Sequence, residues 1–320
     1  MRTKKLGWTD LKLTAVGLGT FAQGGGSWTF NWGPQDDNES IATIRRALEL
    51  GINWIDTAAV YGLGHAETIL GRAIKGLVEK PIITTKCCRV WNQKGDISKR
   101  FTKESVRTEV EASLERLGLD TIDLYQVHWP GSDAENEEAW TAIAGMVQEG
   151  KIRYAGVSNF SAEQIKRLQP IHPVASLQPP YSIIRRDVEN GLLNFCAENN
   201  IGVVVYSPMQ KGILTDKFTR EFIQNLAPED HRRRDPDFLE PKLSINLKLT
   251  AGLRLIAEKY GMSTAQLAIA WVLRRPEVTS AIVGARRPGQ IGETYAAGDR
   301  VLPSEAVAAV ENLFQEDQNL

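Results

Sequence analysis

Four side chains that can carry or direct a proton stand at the ends of apolar runs in the sequence. Asp56 ends the first run, and Tyr61 follows in the next loop. Lys86 ends a second run, and His128 follows a third. A buried strand has no structural need for a carboxylate at its end, because burying one costs free energy unless a cation or hydrogen-bond donors meet it. In a barrel of parallel strands the carboxyl ends meet at one mouth, so the pattern predicts an active site there.

Each of the four also has an ordinary structural explanation when it is taken alone. Asp56 could cap a turn, and Tyr61 could pack within a loop. Lys86 could lie along the surface with its charge in water, and His128 could be a hydrogen-bonded core residue. A barrel that brings all four to one mouth makes coincidence a poor explanation.

Together, these four residues predict the reduction of a carbonyl group. The hydroxyl of Tyr61 is a proton donor with an ordinary pKa of about 10, and the nearby ammonium of Lys86 is expected to lower that pKa. Asp56 would hold and neutralise Lys86, while neutral His128 could donate a hydrogen bond to a carbonyl oxygen. Such a set polarises and protonates a carbonyl as it receives a nucleophile. Hydride is the natural nucleophile, and it requires a cofactor.

The composition limits what else the protein could be. The chain has 320 residues, 42% of them hydrophobic, and a formal net charge of -1. The near-neutral charge argues against a nucleic-acid partner, and no run of about twenty apolar residues predicts a membrane span. The N-terminus lacks the apolar core of a signal peptide. Cys87 and Cys88 are adjacent and Cys196 is distant, a spacing typical of neither a disulfide framework nor a zinc site. We therefore expect a cytoplasmic protein without a bound metal.

The elements that must position these residues alternate along the chain. About eight apolar strands are separated by amphipathic helices, which predicts an α/β fold, the (β/α)8 TIM barrel. No change in composition indicates a second domain, so residues 1–320 are expected to form a single barrel domain. Residues 6–8 and 11–13 are predicted to form a short N-terminal β-hairpin, and residues 15–20 the first barrel strand.

Two helix starts and one long connection can also be located. Ser161 with Gln164 and Ser263 with Gln266 have the spacing of capping boxes, which begin helices. The polar segment 209–246 is longer than connections within a compact domain usually are, which indicates a functional excursion from the barrel.

Short motifs occur in order along nearly the whole chain. They are Gly17-Leu18-Gly19-Thr20, Asp56-Thr57-Ala58 with Tyr61-Gly62, Glu67-Thr68-Ile69-Leu70-Gly71, Thr85-Lys86, Asp123-Leu124-Tyr125-Gln126-Val127-His128, Gly156-Val157-Ser158-Asn159-Phe160, Gln178, Tyr206-Ser207-Pro208 and Gly284-Ala285-Arg286. They are specific in their combination and order. With them, the sequence resembles the aldo-keto reductase superfamily.

The resemblance implies a (β/α)8 barrel and an NADP(H)-dependent oxidoreductase that reduces an aldehyde or ketone to an alcohol by hydride transfer. Its substrate would be a small-molecule carbonyl compound, and alcohol oxidation by the same residues is also possible. Tyr61 would be the general acid. Lys86, Asp56 and His128 would complete the catalytic tetrad.

The resemblance also implies contacts with NADPH, residue by residue. Ser158, Asn159 and Gln178 would hold the nicotinamide carboxamide, and Tyr206 would stack on the ring. The pyrophosphate would lie along Ser207, Met209, Gly212 and Leu214, and the adenosine end would be held by Gly284, Arg286, Gln290 and Glu293. The remaining implied contacts are Gly19, Thr20, Phe21, Asp56 and Thr294. Thr294 stands where many relatives have asparagine, and both Arg286 and Arg287 qualify as partners of a 2′-phosphate.

Two other functions remain open at this point. Lys86 could instead be a Schiff-base nucleophile in a barrel of the aldolase type. The chain could also be an NADPH-binding regulatory or channel-associated subunit with little turnover, because some relatives keep the tetrad while serving as partners.

Tryptophans are the candidates for the substrate pocket, because loops at the mouth of a barrel set specificity. They are Trp28, Trp32, Trp91 and Trp129, and ordinary loop packing would explain them equally well. Sugars, aromatic aldehydes and small reactive aldehydes all fit such a pocket. The sequence favours no particular oligomeric state.

Overall fold

The secondary structure of the chain alternates between strands and helices along most of its length. The computed structural model describes residues 1–26 and 28–318. The strands are β1 Thr3–Lys5, β2 Lys12–Thr14, β3 Val16–Gly19, β4 Trp54–Asp56, β5 Ile82–Cys87, β6 Arg89–Trp91, β7 Ile97–Lys99, β8 Ile122–Val127, β9 Ile152–Ser158, β10 Ser176–Gln178, β11 Gly202–Val205 and β12 Val278–Gly284. The α-helices are α1 Asp37–Glu49, α2 His65–Ile74, α3 Lys103–Leu117, α4 Asp133–Gln148, α5 Ala162–Leu168, α6 Leu192–Glu198, α7 Arg220–Gln224, α8 Lys242–Lys259, α9 Thr264–Leu273, α10 Pro288–Thr294 and α11 Ser304–Gln318.

Eight of the strands form a closed parallel barrel, which confirms the predicted fold class. Their spatial order is β3-β4-β5-β8-β9-β10-β11-β12, and β12 pairs with β3 to close the ring. Every pair around the ring is parallel, so all eight carboxyl ends lie at the same mouth. Closure also leaves no free strand edge in the barrel.

The amino-terminal end of the barrel is filled by apolar side chains. The ring of Trp54 is fully buried there, and its indole nitrogen donates to Thr14 O at 3.2 Å and to Ser280 Oγ at 3.1 Å. Gly17 lies against this ring, where a methyl group would come within 2.0 Å of Cε2 of Trp54. The packing therefore requires glycine at this position of the first barrel strand.

The predicted N-terminal hairpin is present, but its first strand is not the predicted one. The antiparallel pairing joins Thr3–Lys5 to Lys12–Thr14, so the second strand overlaps the predicted segment 11–13, whereas the first lies before the predicted segment 6–8. Leu6 and Leu11 instead belong to the connection, where Leu6 N donates to Leu11 O at 2.8 Å. Their buried side chains pack with Trp54 in the barrel end. The apolar side chains at these two positions therefore indicated burial in the barrel end and not membership of a strand.

The predicted helix starts are confirmed by their hydrogen bonds. Ser161 and Gln164 form a capping box before α5, and Ser263 and Gln266 form another before α9. The long segment 209–246 is built from short turns of 3-10 helix, the five-residue α7 and the beginning of α8.

A second hairpin, formed by β6 and β7, was not predicted. It follows β5 immediately, and Arg89 pairs with Lys99 at its base. Cys88 makes the turn between β5 and β6 with a left-handed φ of 66°. In the described ranges 1–26 and 28–318, no helix is long and apolar enough to cross a membrane.

Candidate active site

A cavity of about 1040 Å³ lies at the carboxyl ends of the barrel strands. It is lined by residues that end or follow seven of the eight barrel strands, from Gly19 on β3 to Gly284 on β12. The eighth, β5, contributes Arg89 from the hairpin that follows it. Its position is that of the active site in barrels of this architecture.

The four residues of the predicted tetrad meet at the closed end of this cavity. The ammonium of Lys86 lies 2.7 and 2.9 Å from the two carboxylate oxygens of Asp56 and donates to Thr57 O at 2.8 Å. Its nitrogen is also 3.4 Å from the hydroxyl oxygen of Tyr61. The rings of Tyr61 and His128 pack edge to face, with their centroids 5.7 Å apart. The structure thus brings the four side chains together.

The carboxylate of Asp56 is buried but well supplied with donors. Its Oδ1 atom accepts from Thr84 Oγ1 and from Gln178 Nε2, each at 2.8 Å, in addition to Lys86. A buried ion pair is tolerated when its geometry is good and further hydrogen bonds satisfy the remaining atoms. These donors come from β5 and β10, so Asp56 links strands on different sides of the barrel.

The hydroxyl of Tyr61 keeps its proton at neutral pH. Burial raises the pKa of Tyr61 well above its ordinary value, and the charge of Asp56 adds to this effect. The direction is opposite to the one expected from the Lys86 ammonium alone. The reason is that Asp56 neutralises the ammonium at close range, while the phenol is removed from water.

The imidazole of His128 is neutral at pH 7. Burial lowers the pKa of His128 well below its ordinary value, and the positive charges of Lys86 and Arg89 lower it further. Nδ1 of His128 is buried and has no hydrogen-bond partner among the residues that the structure describes. Burial also lowers the pKa of Lys86, and Asp56 opposes this shift.

The expected nicotinamide contacts form one hydrogen-bonded group beside the tetrad. Tyr206 Oη donates to Asn159 Oδ1 at 2.8 Å, and Asn159 Nδ2 donates to His128 O at 3.0 Å. Ser158 Oγ donates to Gln178 O at 2.9 Å. Asn159 has a left-handed φ of 64°, a conformation that asparagine adopts more readily than most residues. All four line the cavity.

The loop after β11 has the backbone expected of an anion cradle. Ser207, Gln210, Lys211 and Gly212 all have positive φ, at 56°, 44°, 56° and 102°. Turns of this kind present backbone N–H groups to an anion, and here the N–H groups of Gln210 and Gly212 donate within the turn, to Ser207 O at 2.9 Å and Met209 O at 3.1 Å. Met209 also lines the cavity, whereas buried Leu214 does not and instead donates its N–H to Met209 O at 3.1 Å.

At the far end of the cavity, the two candidate arginines differ in whether their guanidinium groups are already hydrogen-bonded within the protein. The Arg286 guanidinium donates to Gln35 Oε1 at 2.7 Å, to Trp32 O at 2.9 Å and to Pro34 O, and so fastens the loop after β3. Burial lowers the pKa of Arg286. Arg287 is exposed on the cavity rim, and its side chain forms no ion pair with any described residue.

The other predicted adenosine contacts lie beside these arginines. Gln290 Oε1 accepts from Arg286 N at 2.8 Å, and Thr294 Oγ1 donates to Gln290 O at 3.0 Å. Gln290, Glu293 and Thr294 line the cavity. Near the tetrad Gly19 and Phe21 also line it, whereas buried Thr20 does not and donates to Thr57 Oγ1 at 2.8 Å.

Three of the four predicted tryptophans reach the cavity. Trp28, Trp32 and Trp129 are among its lining residues. The ring of Trp28 lies 5.9 Å from that of Tyr61. Trp91 lies in β6 outside the lining, with the Arg116 guanidinium 6.0 Å from its ring.

Several lining residues were missed by the sequence reasoning. Arg89, Arg185 and His231 all line the cavity. Arg89 follows Lys86 closely enough in sequence to have been flagged, since residues just beyond a strand end reach the mouth of a barrel. His231 lies in the long segment 209–246, where its ring stacks 6.3 Å from that of Trp32. Among the side chains of residues 1–26 and 28–315, no group of three His, Cys, Asp or Glu residues could hold a metal ion.

The surroundings of Lys86 argue against a Schiff-base role. Its nitrogen is buried, is bound to Asp56 and Thr57, and does not line the cavity. A Schiff-base lysine must present a neutral amine to its substrate.

Comparison with known proteins agrees with this architecture. The model of the Aldo/keto reductase family matches residues 16–315. Aldo-keto reductase YhdN of Bacillus subtilis is 38% identical over 286 residues, which cover 88% of this chain and 84% of that protein. The NADH-specific methylglyoxal reductase of Escherichia coli is 35% identical, over 97% of this chain and all of that protein.

Solved structures lead to the same family. The glycerol dehydrogenase AKR11B4 from Gluconobacter oxydans superposes with a TM-score of 0.89 at 35% identity, covering 98% of this chain and 95% of that one. The aldo-keto reductase AKR11C1 from Bacillus halodurans, in its holo form, gives a TM-score of 0.80 at 26% identity, covering 98% and 96%. The protein described here therefore belongs to the aldo/keto reductase family of oxidoreductases.

Proposed function

We propose that this enzyme reduces the carbonyl group of a small aldehyde or ketone to an alcohol, using NADPH, with Tyr61 as the general acid. The observation that supports this most strongly is the contact of Lys86 with both Asp56 and the Tyr61 hydroxyl at the closed end of the cavity. A protonated phenol next to a neutral imidazole is suited to give a proton to an oxygen atom.

The proposed reaction adds two hydrogens to the carbonyl in different forms. The nicotinamide cofactor, when bound, supplies hydride to the carbonyl carbon. As the C=O π electrons move to oxygen, Tyr61 gives its proton to that oxygen and becomes tyrosinate. Lys86 stabilises this anion through the 3.4 Å contact, and water returns the proton later. His128 orients the carbonyl oxygen, which would otherwise sit too loosely for rapid transfer.

The chemistry of the cavity fits a nicotinamide dinucleotide. Amide and hydroxyl groups of Ser158, Asn159 and Gln178 stand beside the proposed acid, where a carboxamide could bind. The positive-φ turn after β11 offers an anion cradle, and basic residues line the far end. They are Lys211, Lys217, Arg232, Arg286 and Arg287.

The preference for NADPH over NADH rests on Arg287. A 2′-phosphate needs a guanidinium that is not already engaged, because bidentate contacts use its N–H donors. Arg286 is committed to the loop after β3, whereas Arg287 forms no ion pair within the described chain. The Escherichia coli relative is named as NADH-specific, so the preference differs from that of a protein 35% identical to this one.

The names of two relatives support small polar substrates. One is a methylglyoxal reductase and another a glycerol dehydrogenase, which are proteins acting on three-carbon compounds. We propose that this enzyme accepts small aldehydes and ketones as substrates.

The test is Tyr61→Phe, which keeps the ring and removes only the hydroxyl. We expect NADPH to bind as in the wild type, while reduction of an aldehyde such as methylglyoxal falls by about two to four orders of magnitude, the usual contribution of a positioned acid. NADPH oxidation and calorimetry measure the two quantities. Tyr154→Phe is the matched control, because it removes a hydroxyl bound to Asp10, away from the cavity.

Two outcomes would contradict the proposal. Near-normal reduction by Tyr61→Phe would show that another group is the acid. Tight NADPH binding by the wild type with no turnover of any aldehyde in a broad panel would favour the regulatory subunit instead.

A further inference from the structure

A guanidinium without a counter-charge lines the cavity near the proposed acid. Arg89 begins β6, and its side chain is partly buried among the lining residues. Among residues 1–26 and 28–315, its guanidinium forms no ion pair and no side-chain hydrogen bond, and it lies 5.9 Å from the centroid of the Trp129 ring. Burial lowers the pKa of Arg89, as expected of a cation with little compensation.

The backbone fixes Arg89 beside the tetrad. Cys87 on β5 pairs with Val127 on β8, and His128 N donates to Cys87 O at 3.2 Å. Arg89 and His128 therefore leave neighbouring strands at the same level of the barrel mouth. The proximity is also electrostatic, because the charge of Arg89 contributes to the lowered pKa of His128.

A buried carboxylate holds the turn that places Arg89. Glu109 on α3 accepts the backbone N–H of Cys88 at 2.9 Å and that of Arg89. This carboxylate is thus used by backbone donors and by Ser105 Oγ, and it leaves the guanidinium of Arg89 free. Asp96, an exposed carboxylate that also lines the cavity, accepts from Asn92 Nδ2 at 2.9 Å and forms no ion pair with Arg89.

Arg89 lies on the opposite side of the barrel from the proposed cofactor residues. Those proposed for the carboxamide, pyrophosphate and adenosine follow β9, β10, β11 and β12, which are consecutive in the ring, whereas Arg89 follows β5. The cofactor phosphates would lie along the loop after β11, so they do not explain this cation.

We propose that Arg89 binds an anionic group of the substrate, so that the enzyme prefers carbonyl compounds that carry a carboxylate. This inference rests on the proposed carbonyl reduction and names its substrate class. The apolar body of such a compound would lie against Trp129 and Ile97, which line the same part of the cavity. Arginine suits a carboxylate because its planar fork makes two parallel hydrogen bonds.

The test compares 4-formylbenzoate with its methyl ester, which has nearly the same shape but no charge. We expect the wild-type kcat/KM to be at least tenfold higher for the acid. Arg89→Leu should lower kcat/KM for the acid by about 10- to 100-fold, the range for hydrogen bonds to charged groups, and change that for the ester by less than about threefold. Arg89→Lys, which keeps the charge, should fall between the two.

A charge-matched control separates a local contact from a general field. Arg46→Leu also removes one positive charge, but Arg46 is exposed on α1, where it pairs with Glu49. It should leave the preference for the acid unchanged. Thermal denaturation of each variant shows whether it is folded.

Binding of the two product alcohols, 4-(hydroxymethyl)benzoate and its methyl ester, is measured by calorimetry on the NADPH-loaded protein. If the wild type binds the acid more tightly than the ester and Arg89→Leu abolishes the difference, the inference holds even where no aldehyde is reduced and the proposed reaction fails. If the wild type binds the acid and the ester equally tightly, the inference is overturned. Equal losses on both compounds in Arg89→Leu would do the same, since they indicate a structural role.

Discussion

At the scale of single residues, the electrostatics of Tyr61 depend on its neighbours in an instructive way. Lys86 is close enough to lower the pKa of the phenol, yet burial and the charge of Asp56 raise it. On the proposed mechanism, the ammonium therefore stabilises the tyrosinate formed during reduction and does not ionise Tyr61 beforehand. The distinction matters because a general acid must arrive protonated.

The two adjacent arginines at the adenosine end should respond differently to truncation. Arg287→Ala should weaken NADPH binding by about tenfold and leave NADH binding nearly unchanged, because the exposed guanidinium is proposed to contact only the 2′-phosphate. Arg286→Ala should weaken both cofactors alike, since it releases the loop that holds Trp32 and Pro34. Calorimetric titration of each variant with both cofactors measures the effect. Equal wild-type affinities would contradict the proposed preference.

The sequence predicted which residues meet in the tetrad but not how each is engaged. Residue type and position at a strand end sufficed for Asp56, Lys86 and His128. The spacing of Arg286 and Arg287 could not distinguish them, because the difference lies in contacts with Gln35 and neighbouring backbone, about 250 residues away in the chain. Side-chain pairing across such separations leaves no local pattern.

At the scale of elements, two glycines in barrel strands predict opposite results. Gly17→Ala should lower the free energy of unfolding by more than about 2 kcal/mol, because the methyl group would lie 2.0 Å from the buried Trp54 ring. Gly284→Ala should leave stability nearly unchanged, because no atom lies within 4 Å of the added carbon. Chemical denaturation measures both.

The same pair also separates stability from binding. Gly284 lines the cavity where the adenosine end of the cofactor is proposed to lie, so its alanine variant should bind NADPH more weakly while remaining folded. A stable Gly17→Ala protein would show that the Trp54 ring can move aside, contrary to the tight packing at this end of the barrel.

Elements were predictable where their pattern was long and regular. Capping residues such as Ser161 and Ser263 marked helix starts correctly, because the capping box is a local hydrogen-bond motif. The hairpin of β6 and β7 was missed, since its strands have three residues each and its residues are half-buried or exposed. Leu6 and Leu11 were predicted to lie in strands but belong to the connection, because side chains buried in the barrel end give an apolar pattern like that of a strand.

At the scale of the whole molecule, Glu109 should make stability depend on pH. Burial raises the pKa of Glu109 to about 7, above the value of an unfolded glutamate. The folded protein thus binds the proton more tightly, so this contribution to stability is complete below about pH 4 and is lost as the pH rises through 7. Between pH 5 and 8 the loss is about 2–3 kcal/mol.

Glu109→Gln should remove this dependence, because the amide keeps an acceptor oxygen but cannot ionise. Its stability relative to the wild type should therefore increase from pH 5 to pH 8 by the same amount, as measured by urea denaturation at several pH values. Glu111→Gln is the matched control on the same helix, where Lys151 and Arg107 lower the pKa of an exposed carboxylate. Parallel curves for Glu109→Gln and the wild type would contradict the assignment.

The whole architecture was the most predictable level. A chain in which apolar strands alternate with amphipathic helices has few possible folds other than a closed parallel barrel. A closed barrel also requires its last strand to pair with its first, as β12 does with β3. What the alternation cannot specify is the content of the loops, which is where Arg89, Arg185 and His231 enter the cavity.

One oxygen atom, Oδ1 of Asp56, joins the proposed acid to the proposed carboxamide site. It accepts from Lys86 on one side and from Gln178 on the other. On the proposed mechanism, the coenzyme's carboxamide takes up the hydrogen bond of Gln178. Oδ1 of Asp56 then loses one donor and interacts more strongly with Lys86, which changes the pKa of Tyr61. Linkage makes the effect reciprocal, so the proton on Tyr61 must in turn alter the coenzyme's affinity. Protonation of Tyr61 and binding of the coenzyme are then two sides of one coupled equilibrium, which can be measured through either the pKa or the affinity.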